Sequence, residues 1–189
     1  INNTKHIVLE YYKDKGYLNT SVEITEVIDT TSLSSVILDI DINKGEKVKI
    51  NSITFKGLNE FSAKKLKRTL KETKEKKFFR IFKTSKFLDE AFKADLEQVR
   101  NLYNEKGYRD AQIIVESVDD ISSNLIDINI TIEEGIKYHF RNIDWLGNTK
   151  YNSEYLDLLL GINSGDVYDE KMMNERLQIR HMAIESTRL

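Results

Sequence analysis

"LEYYKDKGYLNTSVEI" (Leu9 to Ile24) returns as "RNLYNEKGYRDAQIIV" (Arg100 to Val115), and this recurrence decides the fold. A second stretch, "SVILDIDINKGEKVKINSITFKGLNEF" (Ser35 to Phe61), returns as "NLIDINITIEEGIKYHFRNIDWLGNTKY" (Asn124 to Tyr151). Gly16 maps onto Gly107 at an offset of 91. Gly45 maps onto Gly135, Gly57 onto Gly147, and Leu66 and Leu70 onto Leu156 and Leu160, all at 90. That period is too long for a solenoid repeat and suits a small domain. The chain therefore reads as a string of similar domains, and such strings usually bind rather than catalyse.

Within the repeat, Val36, Leu38, Ile40 and Ile42 share one parity, as do Ile126, Ile128, Ile130 and Ile132 ninety residues later. Period two with an apolar face predicts half-buried strands. Val22 and Ile24, matched by Ile113 and Val115, predict a preceding strand, and the polar stretches "DTTSLSS" and "DDISSN" predict the hairpin turns. A further strand is predicted over Val48 to Phe55 and again over Tyr138 to Trp145. Its apolar parity switches midway in both copies, from Val48 and Ile50 to Ile53 and Phe55. Such a switch flips the face unless a bulge absorbs one residue. We expect the first half to serve the joint between domains and the second half to serve the core.

Ser62 and Asn152 are N-cap residues for helices carrying Leu66 and Leu70, and Leu156 and Leu160. A longer helix over Asp89 to Lys106 has Phe92, Leu96, Val99 and Tyr103 as its apolar stripe, with Gly107 at its C-terminal end. One unit is thus β-α-α-β-β. Residues 1–45 read as the back half of a unit, 46–135 as a complete one, and 136–189 as the front half of another. The partial units imply a chain truncated within its domains. The tail "HMAIESTRL" (His181 to Leu189) does not continue the repeat.

Composition narrows the function classes. The 189 residues are 40% hydrophobic and 32% charged, the proportions of a globular protein with a charged surface. A net charge of -2 gives no general case for nucleic acid. No apolar run is long enough to span a bilayer. With no cysteine there is no disulfide, zinc-thiolate site or thiol nucleophile. With no proline there is no proline-rich linker, so the units abut. His6, His139 and His181 fall in different units, without the clustering that a metal needs. Asp39, Asp41 and Asp127 read as solvated strand residues rather than general acids. No P-loop, nucleophile elbow or dinucleotide fingerprint is present. No enzyme activity, cofactor or metal is expected.

The β-α-α-β-β order resembles that of the POTRA domains of BamA-like outer-membrane assembly proteins. So do the "KGY" at Lys15–Tyr17 and Lys106–Tyr108, the strand "INSITFKGL" (Ile50 to Leu58) with its counterpart "FRNIDWLGN", and the inter-helix stretch "GINSGDVYDE" (Gly161 to Glu170). The resemblance covers nearly the whole chain. It implies an α+β fold of tandem POTRA units, each a three-stranded mixed sheet covered on one face by two helices. It also implies a periplasm-facing segment of an outer-membrane β-barrel protein that assembles or inserts other barrels. Its partners would be unfolded outer-membrane proteins and accessory outer-membrane lipoproteins, with a barrel elsewhere in the parent holding it at the membrane and no nucleic acid involved. Two alternatives stay open: the arm of a dedicated two-partner secretion transporter, and a barrel-less scaffold such as a cell-division protein. The middle unit departs from the pattern in one respect, a long basic, aromatic insert, "KETKEKKFFRIFKTSKF" (Lys71 to Phe87).

Two candidate binding features follow. A three-stranded sheet leaves an exposed edge, which can pair with an extended client through backbone hydrogen bonds that are blind to sequence. In the fold that the resemblance implies, the first hairpin strand lies at that edge: Ala111, Gln112, Ile113, Ile114, Val115, Glu116, Ser117 and Val118, with Ser21 to Val27 as its counterpart. Glu23, Glu26 and Glu116 are possible charged guards. Proline at Ile114 would probe the pairing, with Val115 as the paired control. The second feature is the insert, where Lys74, Lys76, Lys77, Phe78, Phe79, Arg80, Phe82 and Lys83 form either a docking surface for a partner or anionic head groups, or a solvated loop with its phenylalanines tucked in.

Overall fold

The computed structural model describes residues 2–28, 35–76 and 85–186. In chain order the elements are α1 (Asn2–Lys13), β1 (Ser21–Ile28), β2 (Val36–Asn43), β3 (Lys49–Lys56), α2 (Ala63–Thr69), α3 (Asp89–Asn104), β4 (Gln112–Ser122), β5 (Leu125–Glu133), α4 (Ser153–Leu160) and α5 (Glu170–Ser186). The middle of the chain is β-α-α-β-β, an α+β unit.

Its sheet has the order β3-β5-β4, with β3 parallel to β5 and β4 antiparallel to it. Alternate residues of β5, Ile126, Ile128, Ile130 and Ile132, are buried against Leu66 of α2, Leu70 at its C-cap, and Phe92, Val99 and Tyr103 of α3. Each such isoleucine is worth about 1.5–3 kcal/mol of transfer free energy. Ser62 caps α2 by accepting the Lys65 N–H, and Asn152 caps α4 by accepting the Tyr155 N–H.

The parity switch in β3 is a bulge. The register passes from Ile50 opposite Ile126 to Ser52 opposite Asp127, leaving Asn51 as the extra residue. Ile50, Ile53 and Phe55 therefore all face the core. The expectation that the first half serves the joint holds in part: the Val48 N–H bonds Gly16 O of the preceding unit, while the Val48 and Ile50 side chains are core residues. Asp127 anchors the bulge, accepting from Ser52 Oγ at 2.6 Å and Asn51 Nδ2 at 2.8 Å. These donors hold its carboxyl below the usual carboxylate range. Asp127 is thus a partnered residue rather than a merely solvated one. Gly57 ends the strand with φ +73°, where an added Cβ would lie 2.2 Å from Ile132 O. Only glycine fits there.

Two further expectations change. The "DDISSN" stretch is mostly strand: β4 runs through Ser122 and the turn is Ser123–Asn124. Most of "DTTSLSS" lies outside the described residues. Tyr138 to Trp145 forms no strand and makes only the isolated bridge His139–Val167. A strand needs a neighbour to take its hydrogen bonds, and no hairpin lies alongside these residues among those described. Residues 181–186 of the tail continue α5.

The joints between units are built alike. Val48 N–H donates to Gly16 O at 2.9 Å, Phe87 N–H to Val48 O at 2.8 Å, and Ile50 N–H to Ser85 O at 3.0 Å. One unit later Tyr138 N–H donates to Gly107 O at 2.9 Å, Tyr168 N–H to Tyr138 O at 3.0 Å, and Phe140 N–H to Asp166 O at 2.9 Å. Edge-on ring pairs back both turns, Tyr12–Tyr17 at 5.9 Å and Tyr103–Tyr108 at 6.0 Å. The tyrosine of "KGY" is packing, as a helix-ending aromatic should be.

Candidate functional site

The two edges of the three-stranded sheet differ. The outer edge of β3 is occupied by the two ends of the insert. Lys76 N–H donates to Ile50 O at 2.7 Å, Ile53 N–H reaches the Glu75 carboxylate at 2.9 Å, and bridges link Ile50 with Glu75 and Lys49 with Lys86. Asp95 of α3 positions the first of these ends. It is buried and accepts the N–H groups of Lys71, Glu72 and Thr73 at 2.7, 3.0 and 2.6 Å. Sequence reasoning missed Asp95, although an acid inside the apolar stripe between Phe92 and Leu96 was a readable signal, since a buried charge needs partners.

At the other edge, β4 pairs with β5 alone among the described residues. Gln112, Ile113, Ile114 and Val115 pair in regular register. Glu116 is an unpaired bulge residue, and a second shift falls between Asp120 and Ser122. Bulges and acids are the features that blunt an edge. The accessible ladder is therefore the first four residues of β4, while Ser117 and Val118 lie beyond the bulge. Ala111 precedes the strand. It is buried, and its N–H is used by Tyr108 O at 3.2 Å, so it leaves the predicted edge.

The direction of the free donors can be read from β5. Lys49 N–H donates to Asn124 O at 2.8 Å, and Lys49 is in register with Leu125, so even-numbered residues of β5 face β3. Thr131 and Glu133 then face β4, and their partners Ile114 and Gln112 face β5. Ile113 and Val115 turn their N–H groups outward. Val115 is thus the informative proline site and Ile114 the control, the reverse of the expectation. The counterpart strand β1 pairs only with β2 among the described residues, and Glu23 and Glu26 are exposed along it.

Glu134, just past β5, fixes the end of the sheet that joins the next unit. It is 7% exposed and accepts Asn59 N–H at 2.9 Å, Glu60 N–H at 3.0 Å and Tyr103 OH at 2.9 Å. Burial pushes its carboxyl up, but these donors together outweigh burial and hold it below the usual range. Burial, followed by the hydrogen bond to Glu134, pushes the Tyr103 hydroxyl the other way. Glu134 was legible only as the end of a strand.

Of the insert, Lys74 and Lys76 lie among the described residues, with Lys74 Nζ donating to Lys67 O at 3.3 Å and also to Leu70 O. Phe87 is buried in the core. Lys77, Phe78, Phe79, Arg80, Phe82 and Lys83 lie outside the described residues. No group of three or more histidines and acids able to hold a metal occurs among the described residues.

Residues 48–135 match the POTRA family, described as a surface antigen variable number repeat. The chain is similar to the outer membrane protein assembly factor BamA of Buchnera aphidicola, 27% identical over 163 residues, covering 86% of this chain and 26% of that protein. It is likewise similar to BamA of Neisseria meningitidis, 27% identical over 168 residues, covering 87% of this chain and 21% of that protein. The chain thus spans about a quarter or less of the curated relatives it matches. Its fold is like that of POTRA domains 3–5 of Haemophilus influenzae BamA, with a TM-score of 0.55 at 17% identity, covering 95% of this chain and 68% of that one.

Proposed function

We propose, from the premise that residues 48–135 are a POTRA domain in a chain of POTRA-like units, that this protein is a periplasmic arm of an outer-membrane protein assembly factor. The likeness to BamA sequences along most of the chain supports that setting. The arm acts without catalysis. It presents Gln112–Val115 to an extended segment of an unfolded barrel protein, which adds to the sheet as a further strand. The observation that carries this is the asymmetry of the edges: β3 is covered by the chain's own insert, whereas β4 has outward donors at Ile113 and Val115. Backbone pairing serves many clients because it ignores side-chain identity. Accessory outer-membrane lipoproteins dock on other faces, and a barrel in the parent protein anchors the arm.

Depletion of the parent protein, followed by a profile of the outer membrane, tests the role. Broad loss of folded barrels with unfolded forms accumulating is expected. Loss of one secreted protein with other barrels intact would make the arm part of a dedicated transporter.

A further inference from the structure

Positive charge is concentrated in one place. Residues 64–76 hold seven lysines or arginines against Glu72 and Glu75, in a chain whose net charge is -2. Helix α2 places Lys64, Lys67 and Arg68 on one face by their spacing of three and four residues. Leu66 and Leu70 point the other way, into the core. The basic face borders a pocket of about 490 Å³, floored by Ile53, Ala63 and Thr73, into which Lys74 also faces.

Among the described residues, the only carboxylate lining this pocket is already engaged. Glu75 accepts Lys67 Nζ at 2.7 Å and the Ile53 N–H at 2.9 Å. Lys64 and Arg68 are exposed and make no ion pair among the described residues. A concave site with unneutralised cations on its rim and apolar groups on its floor suits an anion attached to an apolar body. Phosphate fits the charge, and arginine is the side chain best shaped to hold it.

We propose that this pocket binds the phosphate of an anionic phospholipid head group, so that the α2 side of the unit rests against a membrane surface. The sequence following the pocket favours a lipid over a soluble anion. It continues as "KKFFRIFK" (Lys76 to Lys83), and basic residues interleaved with phenylalanine are the composition of interfacial segments. The pocket lies against β3, on the side of the sheet away from β4, so a unit seated on lipid leaves its open edge free.

The test is flotation of the whole chain with vesicles of phosphatidylglycerol mixed with phosphatidylcholine, and with phosphatidylcholine alone. Lys64→Glu with Arg68→Glu reverses the rim, and Lys5→Glu with Lys106→Glu makes the same charge change elsewhere on exposed residues. Wild type and the second double variant should bind the anionic vesicles, more weakly as salt is raised. The pocket double variant should bind at least about tenfold more weakly, with an unchanged thermal unfolding midpoint. Wild type showing no preference for anionic vesicles would overturn the proposal, as would equal loss in both double variants. Inorganic phosphate separates the sources: amide shifts at residues 64–76 without vesicle binding would mean a soluble-anion site and would also overturn it. None of these variants touches β4, so this proposal and the edge-pairing reading fail independently.

Discussion

Hairpin β1–β2 and hairpin β4–β5 carry the same alternation ninety residues apart, yet their fates differ. Every residue of β2 is exposed, with Leu38 at 50%, whereas its counterpart Ile128 in β5 is fully buried. The difference lies in what surrounds each strand. β5 runs between β3 and β4 beneath α2 and α3, while β2 has β1 as its sole partner among the described residues. A binary pattern defines which side chains share a face; neighbours decide whether the face becomes a core.

Paired substitutions sharpen this contrast. Ile128→Ala should cost about 2–5 kcal/mol in urea unfolding, because it removes buried methyls and leaves a cavity. Leu38→Ala, at the equivalent position, should stay within about 0.5 kcal/mol. Similar losses at both positions would break the comparison.

The second pair lies just after each hairpin, where Glu134 corresponds to Lys44. Glu134→Ala strands three donors and should cost about 2–3 kcal/mol, while Lys44→Ala should be near neutral. The pH dependence follows from the lowered carboxyl of Glu134. Its stabilisation is fully present above the ordinary glutamate value of about 4.3 and is lost as pH falls through the lower folded value. Glu134→Gln should therefore flatten the acid limb of a stability–pH curve, and Lys44→Gln should leave that limb unchanged.

A smaller effect distinguishes neighbouring residues of β4. Ile114→Pro removes a donor that faces β5 and should cost about 1–3 kcal/mol. Val115→Pro removes an outward donor and should leave the thermal unfolding midpoint nearly unchanged. Equal destabilisation by both would mean that the direction assigned from Lys49 and Asn124 is wrong.

The repeat made most of the fold legible. Offsets of 90 to 91 located the unit, Ser62 and Asn152 marked helix starts, and the parity switch at Ile50 and Ile53 announced the Asn51 bulge. Local signals sufficed for these features because each depends on a few neighbouring residues. The failures needed information from distant parts of the chain. Tyr138–Trp145 has the pattern of a strand but, among the described residues, no hairpin beside it. Asp95 and Glu134 looked like ordinary surface acids because their donors lie 22 to 24 and 31 to 75 residues away along the chain. At the candidate site, the sequence pointed to Gln112–Val115 as strand residues. The resemblance to POTRA domains put that strand at an edge, but neither could say which N–H groups face outward. That depends on the register with β5 and on the side from which β3 pairs.

The most direct test of the account is a titration of the chain with an extended segment from an unfolded outer-membrane barrel protein, followed through backbone amide signals. The account predicts the largest shifts at Ile113 and Val115, with binding abolished or strongly weakened in Val115→Pro while the fold persists. Undiminished binding by a folded Val115→Pro variant, or shifts that bypass β4, would contradict it.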